Sequence, residues 1–161
     1  MEMVWTIFYV IFLGIVSHFY GQALPRKWFK GDRFPYKEFA FEKGGKIYRF
    51  FGVHKWQKKM PDMSQVMPDM VKKCLSQKIT AGNVRTLVAE ACVAEHVHVM
   101  LCVAFLYIAK FWKTRVWVGL WLIYTAFNIP FIAIQRYNRP KLLRLLERLE
   151  KKEQKDGGIE I

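Results

Sequence analysis

Three long apolar runs alternate with polar segments along this chain. They extend over Met3–Leu24, Val88–Ala109 and Val116–Ile134, and each approaches the roughly 20 residues that an α-helix needs to cross the hydrocarbon core of a bilayer. The first run follows the acidic Glu2 and has flanking aromatics, which differs from a cleaved secretion signal, so we expect a retained span. Lying along the membrane surface is its alternative. The pattern predicts an all-α membrane protein with about three transmembrane helices.

The polar segments predict interfacial helices. Residues 25–82 place Trp, Phe and Tyr next to Lys and Arg, which is typical of the headgroup level of a membrane, and Lys46–Met60 favours a short amphipathic helix. A soluble mini-domain with its own core is the alternative. A leucine stripe in residues 140–155 predicts an amphipathic tail that lies on the inner surface or packs on residues 25–82. The predicted organisation is a single membrane domain, 1–161, with spans at about 3–24, 88–109 and 116–134, a cytoplasmic interfacial region at 25–82 and the tail at 140–155.

Composition supports a membrane location and suggests an orientation. The chain is 53% hydrophobic and 24% charged, with a net charge of +13, so it is too apolar for an ordinary soluble or nucleic-acid-binding domain. Of its 26 Lys and Arg residues, 14 lie between Arg26 and Lys78 and 8 follow Gln135. Since basic flanks stay in the cytoplasm, we expect a multi-pass plasma-membrane protein with its amino terminus outside and its carboxyl terminus in the cytoplasm. Anionic phospholipids are expected partners of the basic segments.

Four titratable residues lie in the second run, where a charge costs roughly 2 to 3 kcal/mol on insertion scales. At about 100° per residue, with Glu90 at zero, Glu95 lies near 140°, His98 near 80° and His96 near 240°. Glu95 and His98 are one helical turn apart and can meet. We therefore predict a catalytic group in which His98 is a general base oriented by Glu95, with Glu90 as a further candidate.

Two other interpretations of this cluster remain. Buried Glu and His side chains can hold membrane helices together by hydrogen bonds. Glu-x-x-His also occurs in di-iron helix bundles, but those need the motif twice and further carboxylates, and here it occurs once. We predict no metal site.

The third run combines a proline with a polar end. Pro130 removes one backbone hydrogen bond and predicts a kink, and the nearby Asn128 could supply the missing partner. Beyond Ile134, Arg136 and Arg139 can share one helix face and form a phosphate clamp, although positive-inside anchors explain them equally well. The candidate substrate-binding residues are Asn128, Gln135, Arg136, Tyr137, Asn138 and Arg139.

Three stretches of the chain carry a likeness to a known family: FAFEKGGKIYRFFGVHKWQKKMPD, EACVAEHVH and, most distinctively, NIPFIAIQRYNRPKL. They resemble the glycosyl-4,4'-diaponeurosporenoate acyltransferase family of small integral membrane proteins, and the similarity covers about Phe39 to Leu142. The resemblance implies transfer of a fatty acyl group to a hydroxyl of a membrane-embedded lipid, as in carotenoid glycolipid synthesis. His54 stands where the family typically has a basic residue, so we assign it no catalytic role. The family pattern falls on Glu90, Glu95, His98, Asn128, Pro130 and Gln135 to Pro140.

Geometry and resemblance together favour an integral membrane acyltransferase. We expect His98 to deprotonate an acceptor hydroxyl of a membrane lipid or glycolipid as it attacks acyl-CoA or another acyl thioester, a co-substrate beside which no cofactor is expected. Asn128 and Gln135 are the predicted donors to the oxyanion, with Arg136 and Arg139 on the phosphates of the donor or a lipid headgroup. A lipid or thioester hydrolase and a non-enzymatic anionic-lipid-binding protein are the alternatives. Three spans make a thin enclosure, so a homo-oligomer also fits the pattern.

Overall fold

The computed structural model describes residues 1–60 and 80–157, with side chains to residue 155, and its secondary structure there is helical. The α-helices are α1 (Glu2–Ala23), α2 (Lys46–Phe50), α3 (Val53–Trp56), α4 (Ala81–Ala104) and α5 (Val116–Gly157). Short 3-10 segments lie at Arg26–Trp28, Ala40–Glu42, Gln57–Lys59 and Phe105–Lys110. Residues 61–79 of the predicted interfacial region lie outside the described part.

Three helical segments are long and apolar enough to cross a membrane, namely Glu2–Ala23, Ala81–Lys110 and Val116–Lys155. This confirms the predicted all-α class and the number of candidate spans. Many large apolar side chains on α1 are exposed, including Trp5, Phe8 and Phe12. A helix that is apolar on most of its surface requires either lipid or protein around it.

The bounds of the second and third long helices differ from the sequence expectation. α4 begins at Ala81, seven residues before the apolar run, because the Thr80 hydroxyl accepts a hydrogen bond from the Asn83 N–H at 3.2 Å and caps the first turn. α5 runs without interruption through Pro130 and Pro140. The predicted span and the predicted tail are thus one helix of 42 residues, since each proline removes only a single backbone donor.

The amphipathic helix predicted for residues 46–60 is helical but not continuous. Gly52 adopts a φ of +71°, a left-handed conformation that glycine reaches without the strain of a Cβ. This residue interrupts the right-handed helix and separates α2 from α3. The prediction of one continuous helix was therefore wrong, because a single backbone angle at Gly52 ends the first element.

The chain contacts divide into two compact units, each of which takes part of α4 and part of α5. Unit 1 comprises Met1–Pro25 and Val93–Ala133, and unit 2 comprises Arg26–Cys92 and Ile134–Ile161. In unit 1, Leu13, Phe105 and Ile108 form a buried cluster. The division concerns contacts and leaves the prediction of a single membrane domain as a prediction.

Aromatic side chains with polar tips hold the helices of unit 1 together. The Tyr9 hydroxyl donates to the Ala104 carbonyl at 2.7 Å, and the Trp112 indole N–H donates to the Thr6 hydroxyl at 2.9 Å. The Tyr124 ring stacks on Phe105 with ring centroids 4.0 Å apart. Such side chains bury a large apolar area while satisfying their polar atoms, so they fix α1 against the segment that joins α4 to α5.

Unit 2 has a small core of its own, which includes Phe29, Tyr36, Val53 and Val84 among its buried residues. The end of α5 reaches the start of α4 within this unit, where a Glu153 carboxylate oxygen accepts a hydrogen bond from the Ala81 N–H at 3.3 Å. A carboxylate at a helix amino terminus satisfies an unpaired donor and complements the helix dipole. The tail therefore contacts the start of α4, and its packing on residues 25–82 stays a prediction.

Candidate active site

His98 of α4 and Asn128 of α5 form a hydrogen-bonded pair in unit 1. His98 Nδ1 lies 2.9 Å from Asn128 Oδ1, and Asn128 Nδ2 lies 2.9 Å from the Tyr124 carbonyl oxygen. A backbone carbonyl can only accept, so the amide nitrogen must face Tyr124 and the amide oxygen must face the ring. His98 Nδ1 therefore carries the proton in the neutral ring, and the basic lone pair lies on Nε2.

Packing fixes the plane of the same imidazole. The His98 ring stacks on Phe131 with centroids 4.7 Å apart and an interplanar angle of 7°. His98 is half-buried and Asn128 is 7% exposed. An aromatic ring against its face and an amide at Nδ1 leave the imidazole little rotational freedom, which is the arrangement required of a positioned base.

Glu95 lies on α4 one turn before His98 and is 4% exposed. The hydrogen bond that orients His98 Nδ1 comes from Asn128, a role that the sequence analysis did not assign to that residue. Asn128 was expected either to donate to an oxyanion or to replace the partner removed by Pro130, yet its amide nitrogen bonds the Tyr124 carbonyl. The role of Glu95 as an orienting acid stays a prediction.

His96 faces a different helix from His98, as the angular positions predicted. Its Nε2 lies 2.9 Å from the Tyr20 hydroxyl of α1. The two helices are close there, because a Cβ added at Gly21 would lie 3.3 Å from Val97 Cγ2. His96 therefore contributes to packing between α1 and α4, and it offers a natural control for experiments on His98.

Glu90 belongs to unit 2, where it forms a bidentate ion pair with Arg26. Arg26 Nε lies 2.7 Å from Oε1 of the carboxylate, and Nη2 lies 3.3 Å from Oε2. Two parallel N–H···O contacts of this kind fix the relative orientation of the guanidinium and the carboxylate. Arg26 was missed because it lies in a run of basic residues that the positive-inside rule already explains. The ion pair gives Glu90 the partner that its position within an apolar run requires.

Arg136 is anchored to a buried carboxylate of unit 2. Its Nη1 lies 3.0 Å from Glu42 Oε1, its Nη2 donates to the Pro35 carbonyl at 3.0 Å, and its guanidinium lies 4.6 Å from the Phe39 ring centroid. Glu42 is 2% exposed and also accepts from the Tyr48 hydroxyl and the Phe39 N–H. Burial raises the pKa of Glu42, but these hydrogen bonds and the Arg136 charge outweigh it and lower the pKa below its usual value.

The other predicted substrate-binding residues also take part in the packing of unit 2. Arg139 is 2% exposed, with Nη1 3.7 Å from Cys92 Sγ and its guanidinium 5.7 Å from the Tyr36 ring centroid. Asn138 donates to the Gln57 side chain at 3.0 Å. Two further predicted residues, Gln135 and Tyr137, are buried.

A small cavity lies beside the two arginines. Its volume is about 30 Å³, and Arg136 already binds the Glu42 carboxylate there. Within the described residues, no group of three or more His, Cys, Asp or Glu side chains is arranged to hold a metal ion. The phosphate clamp stays a prediction. The residues that line the cavity are Gly31, Tyr36, Glu38, Glu42, Arg136, Arg139, Pro140 and Leu143.

Comparison with known proteins gives a consistent result. Residues 25–148 match the family described as glycosyl-4,4'-diaponeurosporenoate acyltransferase. Proteins of that name from Staphylococcus aureus strains Newman, bovine RF122 / ET3-1 and N315 are each 29% identical over 133 residues, which is 82% of this chain and 80% of the relative. No solved structure matches the chain. The matched segment contains His98, Asn128, Glu90 and the polar end of the third run.

Proposed function

Because the chain belongs to the glycosyl-4,4'-diaponeurosporenoate acyltransferase family, it is an acyltransferase, and we propose that it moves a fatty acyl group from a thioester donor to a hydroxyl of a membrane lipid or glycolipid. The names of the relatives point to a glycosylated carotenoid acceptor for those proteins. The site in unit 1 supports a hydroxyl acceptor, because an alcohol needs a positioned base such as an imidazole in order to attack a thioester.

The observation that carries this proposal is the hydrogen bond between His98 and Asn128 with the amide orientation fixed by Tyr124. In the proposed reaction, His98 Nε2 takes the proton of the acceptor hydroxyl while the hydroxyl oxygen forms a bond to the thioester carbonyl carbon. The tetrahedral intermediate then collapses as the C–S bond breaks, and the imidazolium returns the proton to the departing thiolate. Asn128 Oδ1 accepts from Nδ1–H throughout and stabilises the imidazolium.

The remaining predicted site residues have different proposed roles. Glu95 is proposed to stabilise the charged imidazolium from one turn away. Arg136 balances the Glu42 carboxylate, so it holds a substrate phosphate only if that ion pair rearranges. The oxyanion role of Gln135 is carried forward as a prediction.

Membrane embedding supports the same chemistry. Three apolar helices and the basic segments at residues 26–59 and 136–155 favour a plasma-membrane protein whose amino terminus is outside and whose carboxyl terminus is cytoplasmic. In that orientation a soluble thioester and a lipid acceptor would both reach the protein from the cytoplasmic leaflet. Protease access to tags at the two termini in sealed vesicles tests the orientation.

The experiment that tests the proposal compares two histidines of α4. The full chain, in vesicles that contain dodecyl glucoside as the hydroxyl acceptor, is given labelled palmitoyl-CoA. Loss of a general base costs about 10²- to 10⁴-fold in turnover, so His98→Ala should lose at least about 10²-fold, whereas His96→Ala should keep most of the activity.

Two results would refute the proposal. The first is near-normal turnover of His98→Ala. The second is label that appears as free palmitate at a rate independent of the glucoside, which would identify a hydrolase. Circular dichroism and size-exclusion profiles of both variants establish that a loss of turnover is not a loss of folding.

A further inference from the structure

Unit 2 exposes large aromatic side chains between α1 and the end of α3. We call Trp28, Phe34, Phe41, Phe50 and Phe51 the aromatic set. Phe50 and Phe34 are 86% and 83% exposed, and the other three are at least 60% exposed. Phe50 and Phe51 also contact each other, and adjoining exposed apolar groups mark a surface that contacts a partner or a membrane.

The charge around the aromatic set identifies the partner. Residues 26–60 contain eleven Lys and Arg but only three acidic residues, a net charge of +8. One of the three, Glu42, is buried against Arg136 and does not contribute to the surface. Aromatic rings beside cations suit the boundary between lipid headgroups and acyl chains, where the rings enter the apolar layer and the cations meet anionic headgroups.

Several contacts of unit 2 hold part of the aromatic set in place. The Phe51 N–H donates to the Ile47 carbonyl at 3.1 Å, and the Trp56 indole N–H donates to the Phe51 carbonyl at 3.1 Å. Phe50 and Phe51 lie edge to face, with ring centroids 5.5 Å apart, next to the helix break at Gly52. Their exposure is thus built into a turn with a defined backbone.

The same surface is tied to α5. Phe41 directly precedes Glu42, whose carboxylate binds Arg136 of α5, and the Tyr48 hydroxyl of α2 donates to Glu42. The segment that carries Phe41 and the helix that leads to Phe50 are therefore fastened to α5 through one buried carboxylate.

We propose that the aromatic set inserts into the headgroup–acyl boundary of an anionic leaflet and docks unit 2 on that surface. The inference rests on the membrane location given under the proposed function. It adds a lipid-binding surface in unit 2 that is separate from the chemistry at His98. The preferred lipid is an anionic phospholipid such as phosphatidylglycerol, because the flanking charge is positive.

A spin-label experiment on the full chain tests this inference. Cysteine is introduced at Phe50, Phe51 or the exposed Lys55 in a background with the native cysteines replaced, and a nitroxide is attached. Vesicles contain phosphatidylcholine with or without phosphatidylglycerol. Labels at 50 and 51 should collide more often with oxygen than with a water-soluble nickel complex, and phosphatidylglycerol should increase the difference. The label at 55, in the next turn, should favour the nickel complex.

Equal nickel access at all three positions in both kinds of vesicle would overturn the proposal. A second measurement avoids the replacement of Cys92, which is buried beside Arg139. Benzoylphenylalanine at position 50 or 55 of the otherwise unchanged chain is photoactivated in native membranes. Phospholipid adducts at 50 and few at 55 support insertion, and adducts at neither position refute it.

These readouts do not depend on turnover. The same labels in a His98→Ala chain should report the same depth. With His98 intact, inserted labels in a chain that lacks transferase activity would support the lipid surface while refuting the proposed function, and an active chain with water-exposed labels would do the reverse.

Discussion

Substitution of Asn128 distinguishes two roles for its side-chain amide. As an orienting group, the amide oxygen accepts the Nδ1 proton of His98 at 2.9 Å. As an oxyanion donor, the amide nitrogen would bind the developing negative charge. Asn128→Asp keeps an oxygen acceptor for Nδ1–H but removes the NH₂ group, and Asn128→Ala removes both. Comparison of the two variants therefore distinguishes the orienting role from the oxyanion role, which neither variant does alone.

The structure sets the expected magnitudes. One neutral hydrogen bond contributes about 0.5–1.5 kcal/mol, and about 1.4 kcal/mol corresponds to a tenfold change in rate. If Asn128 orients His98, Asn128→Ala should lower kcat by about tenfold or less, because Phe131 still holds the ring plane. Asn128→Asp should stay within that range. If Asn128 binds the oxyanion, loss of the donor costs roughly 10²- to 10³-fold, and the added negative charge of Asp makes the effect larger.

The assay is the palmitoyl-CoA and dodecyl glucoside reaction in vesicles, with kcat expressed per folded enzyme. Ile129→Ala, at an exposed neighbouring position of α5, is the matched control and should behave as wild type. An Asn128→Asp chain that folds but is at least about 10²-fold slower than Asn128→Ala would refute the orienting role.

Three further predictions concern unit 2. The pKa of Glu42 is lowered, so the stability that this carboxylate contributes is complete above its unfolded pKa and is lost as the pH falls through its folded pKa. Glu42→Gln should lower the free energy of unfolding by about 3 kcal/mol at neutral pH. It should also weaken the fall of the unfolding temperature at acidic pH, as measured by thermal unfolding at several pH values. Gly31→Ala places a Cβ 2.8 Å from a valine methyl and should cost about 1–3 kcal/mol, whereas Gly14→Ala, with nothing within 4 Å, should be neutral or stabilising; equal unfolding temperatures would contradict the packing at Gly31. Arg26→Leu or Glu90→Leu alone should destabilise the chain by about 2–4 kcal/mol, and the double variant should recover stability. An active, stable double variant would exclude catalysis by Glu90, and a stable but inactive one would support it.

The number and type of the long helices followed from the sequence. In a bilayer the backbone must satisfy its own hydrogen bonds, so an apolar run of about 20 residues leaves few alternatives to a helix. The bounds did not follow. The span predicted at 116–134 and the tail predicted at 140–155 form one helix, α5, which continues through Pro140. Gly52 has the opposite effect and interrupts the predicted amphipathic helix, since its positive φ is one of several angles open to glycine.

The sequence alone determined which side chains share a helix. It placed Glu95 and His98 one turn apart and His96 on another face, because helical spacing is local information. Only the tertiary structure decided which atoms meet, as in the pairing of His98 with Asn128 across 30 positions and of Glu90 with Arg26 across 64. Such pairings depend on which faces of distant helices pack together and on which end of an amide meets a carbonyl. The spacing of residues along the chain determines neither of them.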